Sequence, residues 1–109
     1  MHELSITRNI VSIVADKAAG RPVRKVHLQI GLLSGIEIPA IQFCFPMCAE
    51  GTSLQDAELV IHEVAGKGRC QGCDKDVDLQ HLIAVCPCER REPLTITAGE
   101  ELLVKAMEV

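Results

Sequence analysis

The sequence predicts a small mixed α/β fold in which helical and strand patterns alternate and one cysteine-rich segment interrupts the order. Apolar residues recur at three- and four-residue steps over residues 4–19, which is typical of an amphipathic helix. Apolar and polar residues then alternate between positions 23 and 32, as they do in a half-buried strand. Residues 66–91 are rich in Gly, Cys and charge, with little hydrophobic periodicity. The sequence thus predicts one domain formed by residues 1–65 and 92–109, with residues 66–91 inserted into it.

A second helix is predicted from Pro39 to Ala49, because proline suits the first helical turn, where its missing N–H costs nothing. Pro46 conflicts with this helix, and we expect a kink or an early end there, since an interior proline clashes with the preceding turn. Cys44 and Cys48 lie four positions apart and could ligate a soft metal. A buried thiol acting as a small hydrophobe is the commoner case, so we expect packing residues.

The remaining regular segments are predicted as strands at residues 59–64, 94–97 and 102–107. Two of the histidines fall on strands. His27 alternates with apolar neighbours, and we expect a solvated strand residue. His62 shares a face with valines, and we expect a core histidine with satisfied hydrogen bonds.

The composition excludes several classes of function. The 109-residue chain has a net charge of −4, no Trp or Tyr and only two Phe, which argues against nucleic-acid binding through a basic surface or stacked bases. No apolar run is long enough to cross a membrane, and no export signal is recognisable, so we expect a cytoplasmic protein. The sequence contains no recognisable nucleophile–base pair, and we expect no enzymatic activity.

Four cysteines in the predicted insertion have spacings that suit a structural zinc site. Cys70-x-x-Cys73 is followed after twelve residues by Cys86-Pro87-Cys88. A Cys₄ zinc site needs pairs of thiolates presented by tight turns, and its bonds supply folding energy that so small a segment cannot gain from burial. The sequence therefore predicts Zn²⁺ bound by Cys70, Cys73, Cys86 and Cys88.

The fourth zinc ligand has alternatives, because the second cysteine pair is one residue shorter than the usual C-x-x-C. Cys88 is the ligand we expect, with Glu89 or His81 as substitutes. A redox disulfide between the first two cysteines is a competing interpretation that lacks a thioredoxin-like context. A zinc-ribbon adaptor that binds protein or nucleic acid is the alternative function, because Arg69, Lys75 and two further arginines flank the cysteines.

The amino end forms a second candidate metal site. His2 is bulky, so Met1 and its amine should be retained beside it. That amine, the His2 backbone nitrogen and the His2 imidazole Nδ1 can form fused chelate rings on one ion. The Glu3 backbone nitrogen, or a side chain from elsewhere, could complete a square plane. Such an all-nitrogen tetragonal set suits Ni(II) or Cu(II).

Over its full length the chain resembles the HypA/HybF family of hydrogenase-maturation nickel chaperones. The resemblance depends on short motifs in a fixed order: Met1-His2-Glu3-Leu4-Ser5, residues 26–37, Phe43 and Phe45, Gly51-Thr52, Ala57-Glu58-Leu59, the four cysteines, and Gly99-Glu100-Glu101-Leu102. The family expects C-P-x-C where this chain has Cys86-Pro87-Cys88-Glu89, which bears on the zinc geometry and not on the nickel motif.

The resemblance implies two helices packed on a three-stranded sheet, with an inserted zinc domain. It implies that His2 is the essential nickel ligand, with the Met1 amine and the adjoining backbone, and that Glu3 and Glu37 lie near the metal. It implies a nickel-handling GTPase and the large-subunit precursor of a [NiFe] hydrogenase as partners, with no nucleic acid and no membrane. Whether the chain forms a homodimer stays open.

Overall fold

The computed structural model describes residues 2–79 and 94–109. These residues form two helices and two three-stranded sheets, so the predicted mixed α/β fold is confirmed. The elements follow in the order α1 (Glu3–Ala18), β1 (Lys25–Gly31), α2 (Ile38–Ala49), β2 (Glu58–Val64), β3 (Gly66–Cys70), β4 (Asp76–Leu79), β5 (Leu94–Ala98) and β6 (Leu102–Glu108).

The first sheet has the strand order β2-β1-β6 and carries the main hydrophobic core. β1 lies at its centre, parallel to β2 and antiparallel to β6. Val26, Leu28 and Ile30 point from β1 to the side covered by the two helices, and all three are fully buried. Burial of each such side chain contributes roughly 1.5–3 kcal/mol. The other helix and loop residues of this core are Ile10, Val11, Val14, Ala18, Val23, Ile41, Phe45, Ala49 and Leu54.

Helix α2 continues through its interior proline to Ala49, so the predicted early end at Pro46 is wrong. The proline cannot donate a hydrogen bond, but its own carbonyl accepts one from the backbone N–H of Glu50 at 3.1 Å. Ala49 is fully buried, and this packing favours the last turn. Cys44 and Cys48 are half-buried rather than buried.

The second sheet has the order β4-β3-β5, with β3 antiparallel to both neighbours. The buried positions of β3 are Gly66, Gly68 and Cys70. Buried and exposed positions therefore alternate along β3 as in a half-buried strand. The sequence does not show this alternation as a hydrophobicity pattern, because two of the three buried residues are glycines. β5 belongs to this sheet although it lies outside the range 66–91, so the second sheet extends beyond the insertion that we expected.

The chain passes between the two sheets twice, at Ala65 and at residues 99–101. The end of β1 and the residues after it are hydrogen-bonded to the returning chain. The Gly31 N–H donates to the Glu101 carbonyl at 2.8 Å, and the Leu33 N–H donates to the Gly99 carbonyl at 2.7 Å. A Cβ atom at Gly31 would overlap the Gly99 carbonyl. Glycine at this position thus lets the returning chain approach β1 closely.

Candidate metal centres

His2 lies directly before the first helix and is exposed to solvent. Its backbone is extended, with φ of −175°, and its carbonyl already accepts the first helical hydrogen bond, from the Ile6 N–H at 2.9 Å. The imidazole is therefore attached to an ordered helix start. Met1, the other residue of the predicted chelate, lies outside the described residues.

The Glu3 carboxylate joins the starts of the two helices. One oxygen accepts a hydrogen bond from the His2 backbone N–H at 3.2 Å, and the other accepts one from the Glu37 backbone N–H at 3.1 Å. Glu37 is the residue that precedes α2. No local sequence pattern indicates this contact, because it depends on how two helices pack; only the family resemblance placed Glu3 and Glu37 near one metal. Three of the residues predicted around nickel, His2, Glu3 and Glu37, thus lie together at one end of the helix pair.

The charge of Glu3 is fixed by its surroundings. A hydrogen bond with the chain's amino terminus, followed by the one from the Glu37 backbone, lowers the pKa of the Glu3 carboxyl to about 2. Helix starts also favour negative charge, because their unpaired N–H groups carry partial positive charge. Glu3 is therefore an ionised carboxylate at neutral pH, adjacent to the exposed His2.

The described residues do not form a complete ligand cluster. Among residues 2–79 and 94–109, no three or more His, Cys, Asp or Glu side chains converge as a metal site would require. The ligand set of Met1, His2, Glu3 and Glu37 accordingly stays a prediction.

Two of the predicted zinc ligands lie at a tight turn that follows β3. Cys70 is fully buried at the end of the strand, and Cys73 is half-buried. The Asp74 N–H donates to the Cys70 carbonyl at 2.8 Å, and the Cys70 N–H donates to the Lys75 carbonyl at 3.0 Å. A tight turn between two cysteines is the local structure that half of a Cys₄ site needs, and the zinc assignment stays a prediction. Cys86, Cys88 and the alternatives His81 and Glu89 lie outside the described residues.

Acidic side chains neutralise the basic residues near this turn. The Arg69 guanidinium pairs with Asp74 at 2.7 Å and with Asp76 at 3.3 Å, and these carboxylates raise the pKa of Arg69. Lys67 pairs with Asp78 on the neighbouring strand. The zinc-ribbon adaptor depended on basic side chains here for nucleic-acid contact, and the ion pairs remove part of that charge.

A third group of polar residues lies on the face of the first sheet away from the helices. His27 Nδ1 is 3.1 Å from His62 Nε2, and His27 Nε2 is 2.7 Å from a Glu108 carboxylate oxygen. His27 is half-buried and bonded, not a solvated residue. The expectation that His62 is a core residue is wrong, because its side of β2 is the open one and the residue is exposed.

The comparison with protein families identifies what these features belong to. A family model described as hydrogenase/urease nickel incorporation, metallochaperone, matches residues 1–109. The chain is thus a nickel-incorporation metallochaperone. It belongs to the HypA family, and the resemblance drawn from its motifs is confirmed.

Curated relatives agree over the full length. The hydrogenase maturation factor HypA of Rippkaea orientalis is 44% identical over 109 residues, which is 100% of this chain and 96% of the relative. The protein of the same name from Geobacter metallireducens is 43% identical over 109 residues, covering 100% of this chain and 99% of the relative. Neither described helix of the present chain is long and apolar enough to cross a membrane.

Solved structures share the fold. The solution structure of the Ni metallochaperone HypA from Helicobacter pylori superposes with a TM-score of 0.67 at 21% identity, covering 97% of this chain and 95% of that one. A second solution structure of a HypA protein gives a TM-score of 0.67 at 22% identity and covers 99% of this chain and 95% of that chain.

Proposed function

We propose that this chain binds Ni(II) at its amino end and transfers it during maturation of a [NiFe] hydrogenase. The ligands would be the Met1 amine, the His2 backbone nitrogen and the His2 imidazole, with the Glu3 backbone nitrogen as the fourth donor. The single observation that carries the proposal is that His2 is exposed immediately before an ordered helix, where its imidazole is accessible without unfolding the core.

Glu3 has two roles in this proposal. Its ionised carboxylate adds negative charge beside the cation, and it accepts the hydrogen bond of the His2 N–H. A backbone nitrogen must lose its proton to bind Ni(II), so this hydrogen bond has to break when the metal is bound. The same carboxylate also holds the Glu37 N–H, which keeps the start of α2 and the exposed Glu37 side chain near the metal.

Zn²⁺ is the proposed structural metal, bound by Cys70, Cys73, Cys86 and Cys88. The turn after β3 supports the first pair, because its backbone hydrogen bonds hold Cys70 and the residue after Cys73 together. The Arg69 ion pairs across the same turn add to its order. The small apolar content of the second sheet gives the metal a clear role in folding.

The proposed partners are a nickel-handling GTPase of the hydrogenase maturation pathway and the large-subunit precursor of a [NiFe] hydrogenase, in the cytoplasm. Transfer would occur by ligand exchange. An exposed terminal site leaves one side of the ion open to an incoming ligand. A donor atom of the partner protein can therefore coordinate the ion before the ligands of this chain dissociate. Because the ligands must be deprotonated, nickel affinity should fall as the pH is lowered.

Nickel analysis of the untagged protein tests the terminal site. His2→Ala should abolish tight Ni(II) binding while the circular dichroism spectrum and the zinc content stay unchanged. An amino-terminal tag should have nearly the same effect, because it converts the amine into an amide. Ser5→Ala is the matched control, since this exposed residue lies in the same helical turn and should leave binding intact. Unchanged nickel affinity in either the His2→Ala or the tagged protein would refute the terminal site.

Zinc analysis of single Cys→Ser variants tests the second site. Replacement of Cys70, Cys73, Cys86 or Cys88 should each lower the bound zinc, whereas Cys48→Ser, in α2, should not. Full zinc stoichiometry in Cys88→Ser would remove Cys88 as a ligand and direct attention to Glu89 and His81.

A further inference from the structure

The open face of the first sheet carries a polar cluster that the nickel and zinc proposals do not use. The register of the strands places His62 of β2 beside Gln29 of β1, and Lys25 of β1 beside Glu108 of β6. His27 lies between them on the same face, because side chains alternate along a strand. The three strands of this sheet therefore each contribute one residue, His62, His27 and Glu108, to a single row across it.

Hydrogen bonding fixes which nitrogen of His27 has a lone pair. An ionised carboxylate can only accept, so Glu108, whose oxygen is 2.7 Å away, requires a proton on His27 Nε2. In the neutral imidazole the other nitrogen, Nδ1, is then unprotonated and faces His62 Nε2 at 3.1 Å. Carboxylates that orient a histidine in this way are the usual outer partners of metal-binding imidazoles.

The spacing of the two facing nitrogens suits one metal ion. Histidine nitrogens lie about 2.0–2.1 Å from Zn²⁺, so two of them on one ion are separated by about 2.8–3.4 Å for angles between square and tetrahedral. The observed 3.1 Å lies within that range. The ring planes are 18° from parallel, and the ring centroids are 5.4 Å apart.

We propose that His27 Nδ1 and His62 Nε2 form a second divalent-cation site on the open face of the sheet, with Glu108 as a positioning residue. The cation takes the place of the proton between the nitrogens. That proton moves through solvent to His62 Nδ1, so each imidazole keeps one proton and no net charge is created on the protein. The ions that suit two imidazole ligands are Zn²⁺, Ni²⁺ and Cu²⁺.

The site is open and binds its ion weakly. Only two side chains supply donors, and no third His, Cys, Asp or Glu in the described part of the chain converges with them. Water completes the coordination, because His62 is exposed and the His27 side chain is 23% exposed. The amino-terminal site lies at the helix starts on the other side of the sheet. The proposed His27–His62 site does not depend on that site, so each can be refuted without the other.

Nitrogen-15 NMR of the imidazoles tests the proposal residue by residue, with Zn²⁺ alone as the probe and the zinc-loaded protein as the sample. Before addition, His27 should show a protonated Nε2 and an unprotonated Nδ1. On titration, the signals of His27 Nδ1 and His62 Nε2 should move together along one binding curve, while His27 Nε2 keeps its proton. If neither nitrogen responds to millimolar Zn²⁺, or His62 responds alone, the proposal is overturned.

Variants of the row separate a metal site from a purely structural hydrogen-bond chain. His62→Gln, at an exposed position, should remove the Zn²⁺ response of His27 Nδ1, and Gln29→Ala on the same face should leave it unchanged. In Glu108→Gln, the proton of His27 should no longer be confined to Nε2, and the Zn²⁺ affinity read from the shared binding curve should fall by about tenfold. Retention of the full response in His62→Gln, or an unaltered curve and proton position in Glu108→Gln, would contradict these assignments.

Discussion

Each of the two sheets in the described residues has three strands, but their central strands differ in what they bury. In β1 the buried side chains are Val26, Leu28 and Ile30, whereas in β3 the buried positions are Gly66, Gly68 and Cys70. Apolar burial stabilises a fold by roughly 25 cal/mol per Å², and glycine has no side chain to bury. The first sheet is therefore stabilised by its core, and the second has to be stabilised in another way.

Ion pairs are a weak substitute in the second sheet. Arg69 with Asp74 and Lys67 with Asp78 are all well exposed, and solvent screens such pairs. Bonds between thiolates and the proposed zinc ion would be the strong interaction in this part of the chain. The comparison therefore predicts that the two sheets respond differently to the same perturbation.

Zinc removal should have the largest effect of the perturbations that distinguish the two sheets. Treatment with a chelator should abolish hydrogen-exchange protection in β3 and β5, while the amides of β1 and β2 remain protected, because the cluster of large buried side chains in the described residues lies on the first sheet. Exchange measured strand by strand checks this. Equal loss of protection in β1 would show that the sheets form one cooperative unit.

Truncation in the core of the first sheet should come next. Leu28→Ala removes a fully buried side chain and should lower the free energy of unfolding by about 2–5 kcal/mol. Leu103→Ala, at a side chain that is 53% exposed, should change it by less than about 0.5 kcal/mol. Urea unfolding followed by circular dichroism measures both, since the chain has no Trp or Tyr for fluorescence. Similar costs for the two variants would place the core elsewhere.

Adding a methyl group to the second sheet should have a smaller effect. The Cβ of Gly66→Ala would overlap the Leu79 backbone carbonyl of β4, and this overpacking should cost about 1–3 kcal/mol. In Gly68→Ala the nearest atom is the end of the Leu79 side chain at 2.8 Å, which can move, so the loss should be less. Thermal unfolding of the zinc-loaded variants measures both losses of stability. A larger loss for Gly68→Ala than for Gly66→Ala would mean that the β4 backbone shifts freely.

The smallest effect should be pH-dependent and confined to the open face of the first sheet. The hydrogen bond from His27 lowers the pKa of the Glu108 carboxyl below its ordinary value of 4.5. Its contribution to stability is then fully present above that value and lost as the pH falls through the lower folded-state pKa. The difference in urea midpoint between the natural chain and Glu108→Gln should therefore shrink below pH 4.5. Glu100→Gln, at an exposed position, is the control, and a difference that stays constant with pH would contradict the assignment.

Periodicity predicted the elements of the first sheet and its helices because their buried residues are large and apolar. It missed β3, whose buried positions are glycines, and it assigned His62 to the core, because it could not say which face of β2 the helices cover. The contact of Glu3 with Glu37 and that of His27 with Glu108 join residues 34 and 81 positions apart. Such pairs follow from packing, which a single sequence does not encode locally.

The two chain passages between the sheets lie side by side. Lys67 of β3 pairs with Ala98 of β5, so the outgoing and returning strands are neighbours directly beyond the crossing at Ala65 and Gly99. Paired residues on antiparallel strands are about 4.5–5.5 Å apart, a gap that a two-residue turn closes. We therefore expect that a short turn could replace the second sheet and leave the two helices and the first sheet folded.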